Sequence, residues 1–255
     1  MPERGRVGLM GLRFDPEGMD SAVERCLQWC AGPRTSHTVI TANAGVLCMM
    51  RRDSELRQAC QAGDLVLADG MSVVWALRLA STPVPERVTG VDLMSRLLEA
   101  GARRGLRVFF LGAREDVVRP LAESCAGKYP GLVVAGYRNG YFGVAEHPAV
   151  VEQIRHCRPD LVFVGMPSPF KEVFLERHRA ELEAPVLMGV GGSFDVMGGF
   201  VARAPPWLRA VGMEWSWRLL MEPRKMWKRY LTTNTEFIWT AGREALARRL
   251  GAHGA

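Results

Sequence analysis

Short, unbroken apolar runs that end at glycine or at a small polar residue constrain this chain more than any other feature. Such runs are typical of strands that are buried on both faces of a parallel sheet. Amphipathic stretches separate them, as expected of helices that connect parallel strands. The predicted strands span residues 7–12, 38–40, 65–67, 107–111, 132–135, 161–164 and 186–188.

The predicted helices between these strands complete an α/β fold. They span residues 16–30, 46–60, 72–79, 90–102, 116–128, 150–157 and 170–179. Helices that alternate with buried strands cover both faces of a mainly parallel sheet, which is the arrangement of a Rossmann-like core. With 255 residues and 48% hydrophobic content, the chain can bury one substantial core and carry a smaller appendage.

The pattern changes at Pro205, because no further strand is predicted and the sequence remains helical to about residue 249. Trp207, Trp215 and Leu219 recur at the spacing of an amphipathic helix. Pro223 either kinks this helical segment or starts a second helix. We therefore divide the chain into an α/β core, residues 1–204, and a helical C-terminal appendage, residues 205–255.

Residues 200–255, which comprise the appendage and the five residues before it, carry the chain's entire net charge of +6 at pH 7. Residues 1–199 hold 23 Lys and Arg against 23 Asp and Glu, whereas residues 200–255 hold 10 against 4. Five of the seven tryptophans also lie in the appendage. A basic, Trp-rich segment on a neutral core indicates contact with an anionic surface such as membrane headgroups, a diphosphate or a nucleic acid. On an unbroken helix, Arg218, Lys225 and Arg229 would form a cationic stripe along one face.

The six cysteines show neither a CxxC pair nor a metal-ligand spacing with the five histidines. We expect most of them to be small buried apolar groups in a reducing compartment. The first residues lack the apolar stretch of a signal peptide, and no segment approaches about 18 apolar residues in a row. These observations predict a cytoplasmic protein that does not span a membrane.

Polar side chains follow two of the predicted strands at the point where each strand ends. Thr41 and Asn43 follow the first of these strands, and Asp69 follows the second. In an open α/β sheet, such loops border the crevice in which ligands bind. Asp69 could be a general base that takes a proton from a hydroxyl nucleophile, or it could cap the next helix. Thr41 and Asn43 could hydrogen-bond a bound sugar or base, although turn chemistry alone also explains an Asn at this place.

Two further loops follow predicted strands and carry groups that suit a phosphate. The run GVGGSFD offers the backbone of Gly189, Gly191 and Gly192 to a nucleotide diphosphate, with close packing of helix on strand as the alternative. The third glycine of a dinucleotide fingerprint is replaced by Phe194. The run GMPSPFKE places Lys171 either to reach a phosphate or to lie solvated on the surface.

The ordered set of these motifs resembles the WecG/TagA/CpsF family of glycosyltransferases. The resemblance extends from about residue 8 to residue 230, and its specificity comes from the order of the motifs more than from any one of them. The motifs are TANAG, LADG, ERVTGVDL, FFLGA, YPGLVVAGYRNGYF, VGMPSPFKE, GVGGSFDVMGG and APPWLRAVGMEWSWRLLMEPRKMWKRYL.

The resemblance implies an inverting, metal-independent glycosyltransferase of bacterial cell-surface polysaccharide synthesis. Such an enzyme moves an N-acetylmannosamine-type sugar or a hexose from a UDP-sugar to a polyprenyl-diphosphate-linked saccharide. By motif, the resemblance also implies roles for single residues. Asp69 would be the base, Thr41 the catalytic threonine and Asn43 a residue of the donor site. Arg87 would be the arginine before the TG pair, and the appendage cations that stabilise the UDP leaving group would be Arg218, Lys225 and Lys228.

Two positions depart from the family pattern. Gly45 stands where the family commonly has an acidic residue, and Lys171 stands where it has a glutamine. Both positions concern contacts with the donor or the acceptor, so the identity of the sugar is left open.

The resemblance implies no cofactor and no metal, and the chain has no evident DxD motif that could hold a divalent cation. The expected partners are the UDP-sugar donor, the polyprenyl-diphosphate saccharide acceptor and the anionic inner leaflet of the membrane. A homo-oligomer is left open, and no nucleic acid is expected because no nucleic-acid-binding motif is visible. The alternatives are a non-catalytic nucleotide- or lipid-binding module with a membrane-docking tail and, disfavoured by the broken glycine fingerprint, an oxidoreductase.

Overall fold

The main sheet of this protein is parallel and has six strands. The computed structural model describes residues 5–205, 207–208, 214–221 and 223–251, without the side chains of residues 215, 218, 223–232 and 248–251. The spatial order of the strands is β4-β3-β8-β7-β5-β6, and every neighbouring pair is parallel. The strands are β3 (His37–Ala42), β4 (Leu65–Ala68), β5 (Arg107–Gly112), β6 (Val133–Arg138), β7 (Leu161–Gly165) and β8 (Val186–Gly189).

Within residues 5–204, nine helices surround this sheet, and a 3₁₀ turn, Val144–Glu146, precedes the seventh. They lie between or after the strands, which confirms the predicted α/β class. The helices are α1 (Met19–Ala31), α2 (Ala44–Met50), α3 (Ser54–Gln61), α4 (Met71–Leu79), α5 (Gly90–Ala102), α6 (Glu115–Lys128), α7 (His147–Cys157), α8 (Phe170–Leu182) and α9 (Ser193–Met197).

Alternate residues of each central strand enter opposite hydrophobic layers. Leu161 and Phe163 pack with α1, α5 and α6, whereas Val162 and Val164 pack with α7 and α8. These four residues of β7 are fully buried, because side chains alternate across a strand and both faces of this sheet are covered. A sheet covered on both faces is what the unbroken apolar runs predicted.

The first predicted strand is wrong in its topology. The structure has a hairpin of β1 (Val7–Leu9) and β2 (Leu12–Phe14), which forms a separate two-stranded antiparallel sheet. Met10 and Gly11 make the turn with φ values of 50° and 82°. Gly11 enters this region at low cost because it has no Cβ, and the apolar character of Met10 hides the turn in an otherwise continuous run.

The helix predicted over residues 46–60 is two helices, α2 and α3. Asp53 ends the continuity because its Oδ1 atom accepts a hydrogen bond from the Leu56 N–H group at 2.9 Å and caps α3. Arg57 Nε donates to the Met50 carbonyl oxygen at 2.8 Å and satisfies the end of α2. The apolar periodicity on both sides of this break is helical, so the sequence pattern alone favoured one helix.

The appendage forms two described helices, α10 (Glu214–Met221) and α11 (Pro223–Gly251). Pro223 therefore starts a second helix, which was one of the two readings of its position. In the far half of α11, Phe237, Ala241 and Ala245 are buried and recur at helical spacing. The helix packs against α2 and α4, and Phe237 and Ala241 join the hydrophobic cluster of those helices.

Two polar contacts reinforce this docking of α11 on the core. Glu236 pairs with Arg51 at 3.4 Å and with Arg52 at 2.6 Å. Glu244 accepts a hydrogen bond from the Met10 N–H group at 2.7 Å. The far half of α11 is thus packed as a layer of the core. None of the helices in the described ranges is long and apolar enough to cross a membrane.

Candidate functional site

The ends of β3 and β4 lie side by side and bring the predicted site residues together. Thr41 is in register with Leu67, and the Asp69 N–H group donates to the Ala42 carbonyl oxygen at 3.0 Å. Val88 N–H donates to the Ala68 carbonyl oxygen at 3.0 Å, which places the ERVTG loop against the end of β4. The carboxyl edge of the sheet therefore carries Thr41, Asn43, Asp69 and the loop that includes Arg87.

Asp69 is partly exposed at this edge and is not the N-cap of α4. The N-cap is Gly70, whose φ of 111° and ψ of 138° favour glycine. The alternative prediction made Asp69 the N-cap of this helix. In the structure Gly70 holds that position, and it has no side chain with which to cap. Asp69 therefore directly follows the last residue of β4 and lies one residue before the N-cap of α4.

Thr41 lies in a tight, nearly buried place, with 8% of its surface exposed. A Cβ atom on Gly90 would be 3.1 Å from Thr41 Oγ1 and 3.9 Å from Ser193 Oγ. The absence of a side chain at position 90 is therefore what lets α5 begin beside these two hydroxyls. Ser193 Oγ donates to the Val190 carbonyl oxygen at 2.7 Å. Ser193 was not among the predicted site residues, and its only sequence signal is its place directly after the GVGG run.

Asn43 is the N-cap of α2. Its Oδ1 atom accepts a hydrogen bond from the Val46 N–H group at 3.1 Å. The turn and cap chemistry that was weighed for this residue is therefore present. That bond uses the amide oxygen and fixes the orientation of the amide nitrogen, so a cap and a ligand contact are compatible roles for one asparagine.

The glycine loop after β8 turns sharply at the same edge. Val190 N–H and Gly191 N–H both donate to the Val164 carbonyl oxygen, at 2.9 Å and 3.3 Å. Gly191 has a φ of 54°, and Gly192 is exposed at the start of α9. A Cβ atom on Gly189 would be 3.0 Å from Lys171 Cδ. Close packing therefore accounts for Gly189, while Gly191 and Gly192 form the more accessible part of the turn.

Lys171 is buried beneath this glycine loop, so its predicted alternative as a solvated surface residue is wrong. Its Nζ atom donates to Ser168 Oγ at 2.8 Å and forms an ion pair with Glu172. Ser168 Oγ donates to Glu172 Oε1 at 2.7 Å, and Glu172 is only 2% exposed. Glu172 Oε2 is buried and has no hydrogen-bond partner among the residues that the structure describes.

Arg87 contacts the appendage. Its Nη1 atom lies 3.5 Å from Glu214 Oε2 at the start of α10. The Trp217 indole N–H group, also on α10, donates to the Ala202 carbonyl oxygen at 3.2 Å. The first contact holds α10 against the ERVTG loop, and the second holds it against the segment that follows α9. The first turn of α10 is therefore close to a predicted substrate-binding arginine.

The three predicted appendage cations are placed only by their backbone. Arg218 lies on α10, and Lys225 and Lys228 lie on α11, but their side chains are outside the described part of the chain. Arg218 therefore lies on a different described helix from Lys225 and Arg229, the other two residues of the predicted cationic stripe, and residue 222 between these helices is outside the described residues. Within the described ranges, no group of three or more His, Cys, Asp and Glu side chains could hold a metal ion.

All six cysteines are free thiols, and four are buried. The prediction that most are small buried groups is confirmed. Burial raises the pKa of Cys48 and of Cys125 to about 11, and that of Cys60 to about 12. Thiols with such high pKa values hold almost no thiolate near pH 7, so they are poor nucleophiles and poor metal ligands.

Comparisons with known proteins identify a family and close sequence relatives of this chain. The model of the glycosyl transferase WecG/TagA/CpsF family matches residues 7–251. An N-acetylglucosaminyldiphosphoundecaprenol N-acetyl-beta-D-mannosaminyltransferase of Bacillus subtilis (strain 168) is 33% identical over 194 residues, which are 76% of this chain and 75% of the relative. The protein of the same name from Staphylococcus aureus (strain MW2) is 32% identical over 225 residues, 88% of this chain and 86% of the relative.

A parallel sheet with helices on both faces and polar side chains at its carboxyl edge is typical of α/β enzymes. The chain belongs to the WecG/TagA/CpsF family of glycosyl transferases. The resemblance first seen in the motifs is thereby confirmed, and the protein is a glycosyltransferase.

Proposed function

We propose that this enzyme transfers a sugar from a UDP-sugar to a polyprenyl-diphosphate-linked saccharide. The single observation that carries the proposal is the meeting of Thr41, Asn43 and Asp69 at the ends of β3 and β4, beside the loop of Arg87. The names of the relatives point to an N-acetylmannosamine-type sugar as the donor group and to a lipid-diphosphate N-acetylglucosamine as the acceptor. A hexose is the alternative for the sugar that is transferred. The product would serve cell-wall, teichoic acid or exopolysaccharide synthesis.

The chemistry proposed for the edge is a single displacement with inversion at the anomeric carbon. Asp69 accepts the proton of the acceptor hydroxyl, whose oxygen then forms the new bond to that carbon. The bond from the anomeric carbon to the diphosphate breaks, and UDP leaves with the electron pair. Thr41 and Asn43 hold the donor, because a hydroxyl and an amide can both donate and accept hydrogen bonds with a sugar.

The departing UDP carries negative charge that the protein must stabilise. We assign this task to Arg87, to the backbone N–H group of Gly192 in the turn that follows Gly191, and to Arg218, Lys225 and Lys228 of the appendage. Cationic groups placed where charge develops lower the barrier to transfer, and they can take the part that a divalent cation plays in other transferases. This reaction is therefore proposed to need no metal and no other cofactor.

The appendage is proposed to act at the anionic inner leaflet of the membrane, where a lipid-linked acceptor is found. Trp239 and Ile238 on α11 are each 69% exposed and lie next to the buried Phe237. Exposed aromatic and aliphatic groups together with basic residues favour an interfacial position. Each cation near an anionic surface contributes about 1 kcal/mol, so several can hold the protein there. A second copy of the chain is a further proposed partner.

A radiolabelled transfer screen tests the proposed function. The donors are UDP-ManNAc, UDP-ManNAcA, UDP-glucose and UDP-galactose, and the acceptor is a short-chain polyprenyl-diphosphate N-acetylglucosamine. We expect transfer from UDP-ManNAc in the presence of a metal chelator, with inversion visible in the anomeric configuration of the product. No transfer from any donor, with UDP bound tightly, would instead support the non-catalytic binding module. Calorimetry that detects NAD binding but no UDP binding would favour the oxidoreductase.

The membrane role has its own test in Arg218→Ala. On this proposal, the variant lowers turnover far more than it lowers binding to anionic liposomes, because one cation among several contributes little to docking. Liposome binding by the wild type should weaken as salt is raised. Equal loss of turnover and liposome binding would show that Arg218 serves docking only.

A further inference from the structure

Glu214, in the first turn of α10, lies between two arginines of the core. Its Oε2 atom is 3.5 Å from Arg87 Nη1, and its Oε1 atom is 3.9 Å from Arg203 Nε. The side chains of Arg87 and Glu214 are each only 16% exposed. A carboxylate shared by two guanidinium groups in so shielded a place offsets part of the positive charge that both of them present.

The contacts continue from Arg203 to the loop that packs against Thr41. Arg203 Nη2 donates to Asp92 Oδ1 at 2.7 Å, and Thr89 Oγ1 donates to Asp92 Oδ2 at 2.6 Å. Thr89 is the N-cap of α5 and precedes Gly90, the residue whose missing side chain makes room for the Thr41 hydroxyl. A chain of polar contacts therefore joins the start of the appendage to the carboxyl edge of the sheet.

Glu214 holds the two arginines without saturating their donors. Arg203 Nε is buried and has no hydrogen-bond partner among the described residues, since 3.9 Å to Glu214 Oε1 is beyond hydrogen-bond distance. The 3.5 Å contact with Arg87 is also longer than the usual length of a charge-assisted bond, about 2.7–2.9 Å. Arg87 therefore keeps donor groups for a second anion while its position is fixed by the first.

We infer that Glu214 is a positioning residue for Arg87 in the sugar transfer proposed above. It fixes the Arg87 guanidinium at the carboxyl edge when α10 is docked, and it offsets part of the charge of that guanidinium until the diphosphate of the donor binds. The inference rests on the proposed function, because the anion that Arg87 meets is the UDP moiety of the donor. The appendage thus supplies a carboxylate as well as its cations.

This role predicts opposite effects on binding and on turnover. Removing the charge of Glu214 makes the surroundings of Arg87 more positive, so an anionic ligand should bind no more weakly, and up to about fivefold more tightly at low salt. Turnover should fall by about tenfold or more, because Arg87 is no longer held where the leaving diphosphate needs it. A purely structural loss would weaken binding and turnover together.

The test compares wild type, Glu214→Gln and Glu214→Asp by calorimetry with UDP and by steady-state transfer to the short-chain acceptor. We expect Glu214→Gln to show the low kcat with an unchanged or lower Kd for UDP, and Glu214→Asp to recover part of the kcat. Any tighter binding of UDP should disappear at high salt. Thermal unfolding checks that both variants are folded. If Glu214→Gln does not fold, Glu214→Asp is compared with the wild type in its place.

Glu236→Gln is the matched control, because Glu236 also joins the appendage to two core arginines but contacts Arg51 and Arg52 instead of Arg87. Its kcat and its Kd for UDP should match the wild type. A normal kcat for Glu214→Gln, or weaker UDP binding together with a lower kcat, would overturn the inference while the proposed function stands. A wild type that neither binds UDP nor transfers sugar would overturn both.

Discussion

The backbone N–H group of Asp69 donates to the carbonyl oxygen of Ala42 at 3.0 Å, across the gap between two neighbouring strand ends. This bond places the backbone of Asp69 beside the end of the strand that carries Thr41 and leads to Asn43. Residues that lie 28 positions apart in the sequence, Thr41 and Asp69, thus share one edge. The site is therefore built by strand pairing, and it does not depend on a flexible loop.

The hydroxyl of Thr41 should matter for kinetics and not for folding. Thr41→Val keeps the shape of the side chain but removes the hydroxyl. Its kcat/KM should fall by an amount that corresponds to a loss of about 1–3 kcal/mol in transition-state stabilisation, and its melting temperature should be unchanged. Thr38→Val is the control on the same strand, because the Thr38 hydroxyl lies 3.4 Å from Asp64 in a buried place and has a structural role. A lower melting temperature and normal activity for Thr41→Val would make Thr41 structural.

The Lys171 and Glu172 pair allows stability and ligand binding to be separated. Lys171→Met leaves the Glu172 carboxylate buried without its cation, which should cost about 3–5 kcal/mol in the free energy of unfolding. The double variant with Glu172→Gln should recover much of this loss, because no charge remains buried. If Lys171 also binds the donor, calorimetry will show weak UDP binding in the double variant. A fully stable Lys171→Met would contradict the buried ion pair.

Phe237 should be needed for folding, because it is 3% exposed within the cluster of α2 and α4. Phe237→Ala should lower the free energy of unfolding by about 3–5 kcal/mol, as measured by urea denaturation. The neighbouring Ile238 is 69% exposed, so Ile238→Ala should change the free energy of unfolding by no more than about 0.5 kcal/mol. Equal effects of the two substitutions would show that α11 is not docked as described.

The stability of the protein should decrease at mildly acidic pH through His147. Burial lowers the pKa of His147, and His178 and Arg177 lower it further. His147 Nδ1 lies 3.0 Å from His178 Nε2, so at least one of these nitrogens must be unprotonated for the bond to form. His178 Nδ1 also lies 3.2 Å from Glu181 Oε1, so the pair is bordered by one carboxylate.

Because the folded pKa of His147 is below the unfolded value of about 6.5, the unfolded state takes up the proton first. The contribution of His147 is therefore fully present above that value and is lost as the pH falls from it toward the folded pKa. Melting temperatures between pH 7.5 and 5.5 should fall more for the wild type than for His147→Gln. The exposed His156 provides the control, since His156→Gln should keep the full pH dependence of the wild type. Identical pH profiles for wild type and His147→Gln would contradict this origin.

The sequence was informative wherever one local signal decided the structure. Buried strands of a parallel sheet read as continuous apolar runs, so β3 to β8 and the edge that carries Thr41 and Asp69 could be predicted from the chain alone. The turn at Met10 could not, because an apolar residue took a position that polar residues or glycine usually mark. The break at Asp53 was hidden by apolar periodicity that is helical on both sides of it.

Long-range contacts were outside the reach of sequence patterns. Nothing local indicates that Glu214 would meet Arg87, since 127 residues separate them. The burial of Lys171 was also missed, because a lysine after a Pro-rich turn is usually solvated, and only the packing of α8 under the glycine loop reverses that expectation. The docking of Phe237 on α2 and α4 depends in the same way on a surface that forms only when the core folds.

The most direct measurement of the central claim is the rate of sugar transfer by Asp69→Asn. The substitution keeps size and polarity but removes the basic oxygen, so turnover from UDP-ManNAc to the short-chain acceptor should fall by roughly 10²-fold or more, with UDP binding and the melting temperature retained. Asp53→Asn, which alters the cap of α3, should transfer at the wild-type rate. Near-normal transfer by Asp69→Asn would contradict the assignment of this carboxylate as the base and with it the proposed mechanism at the carboxyl edge.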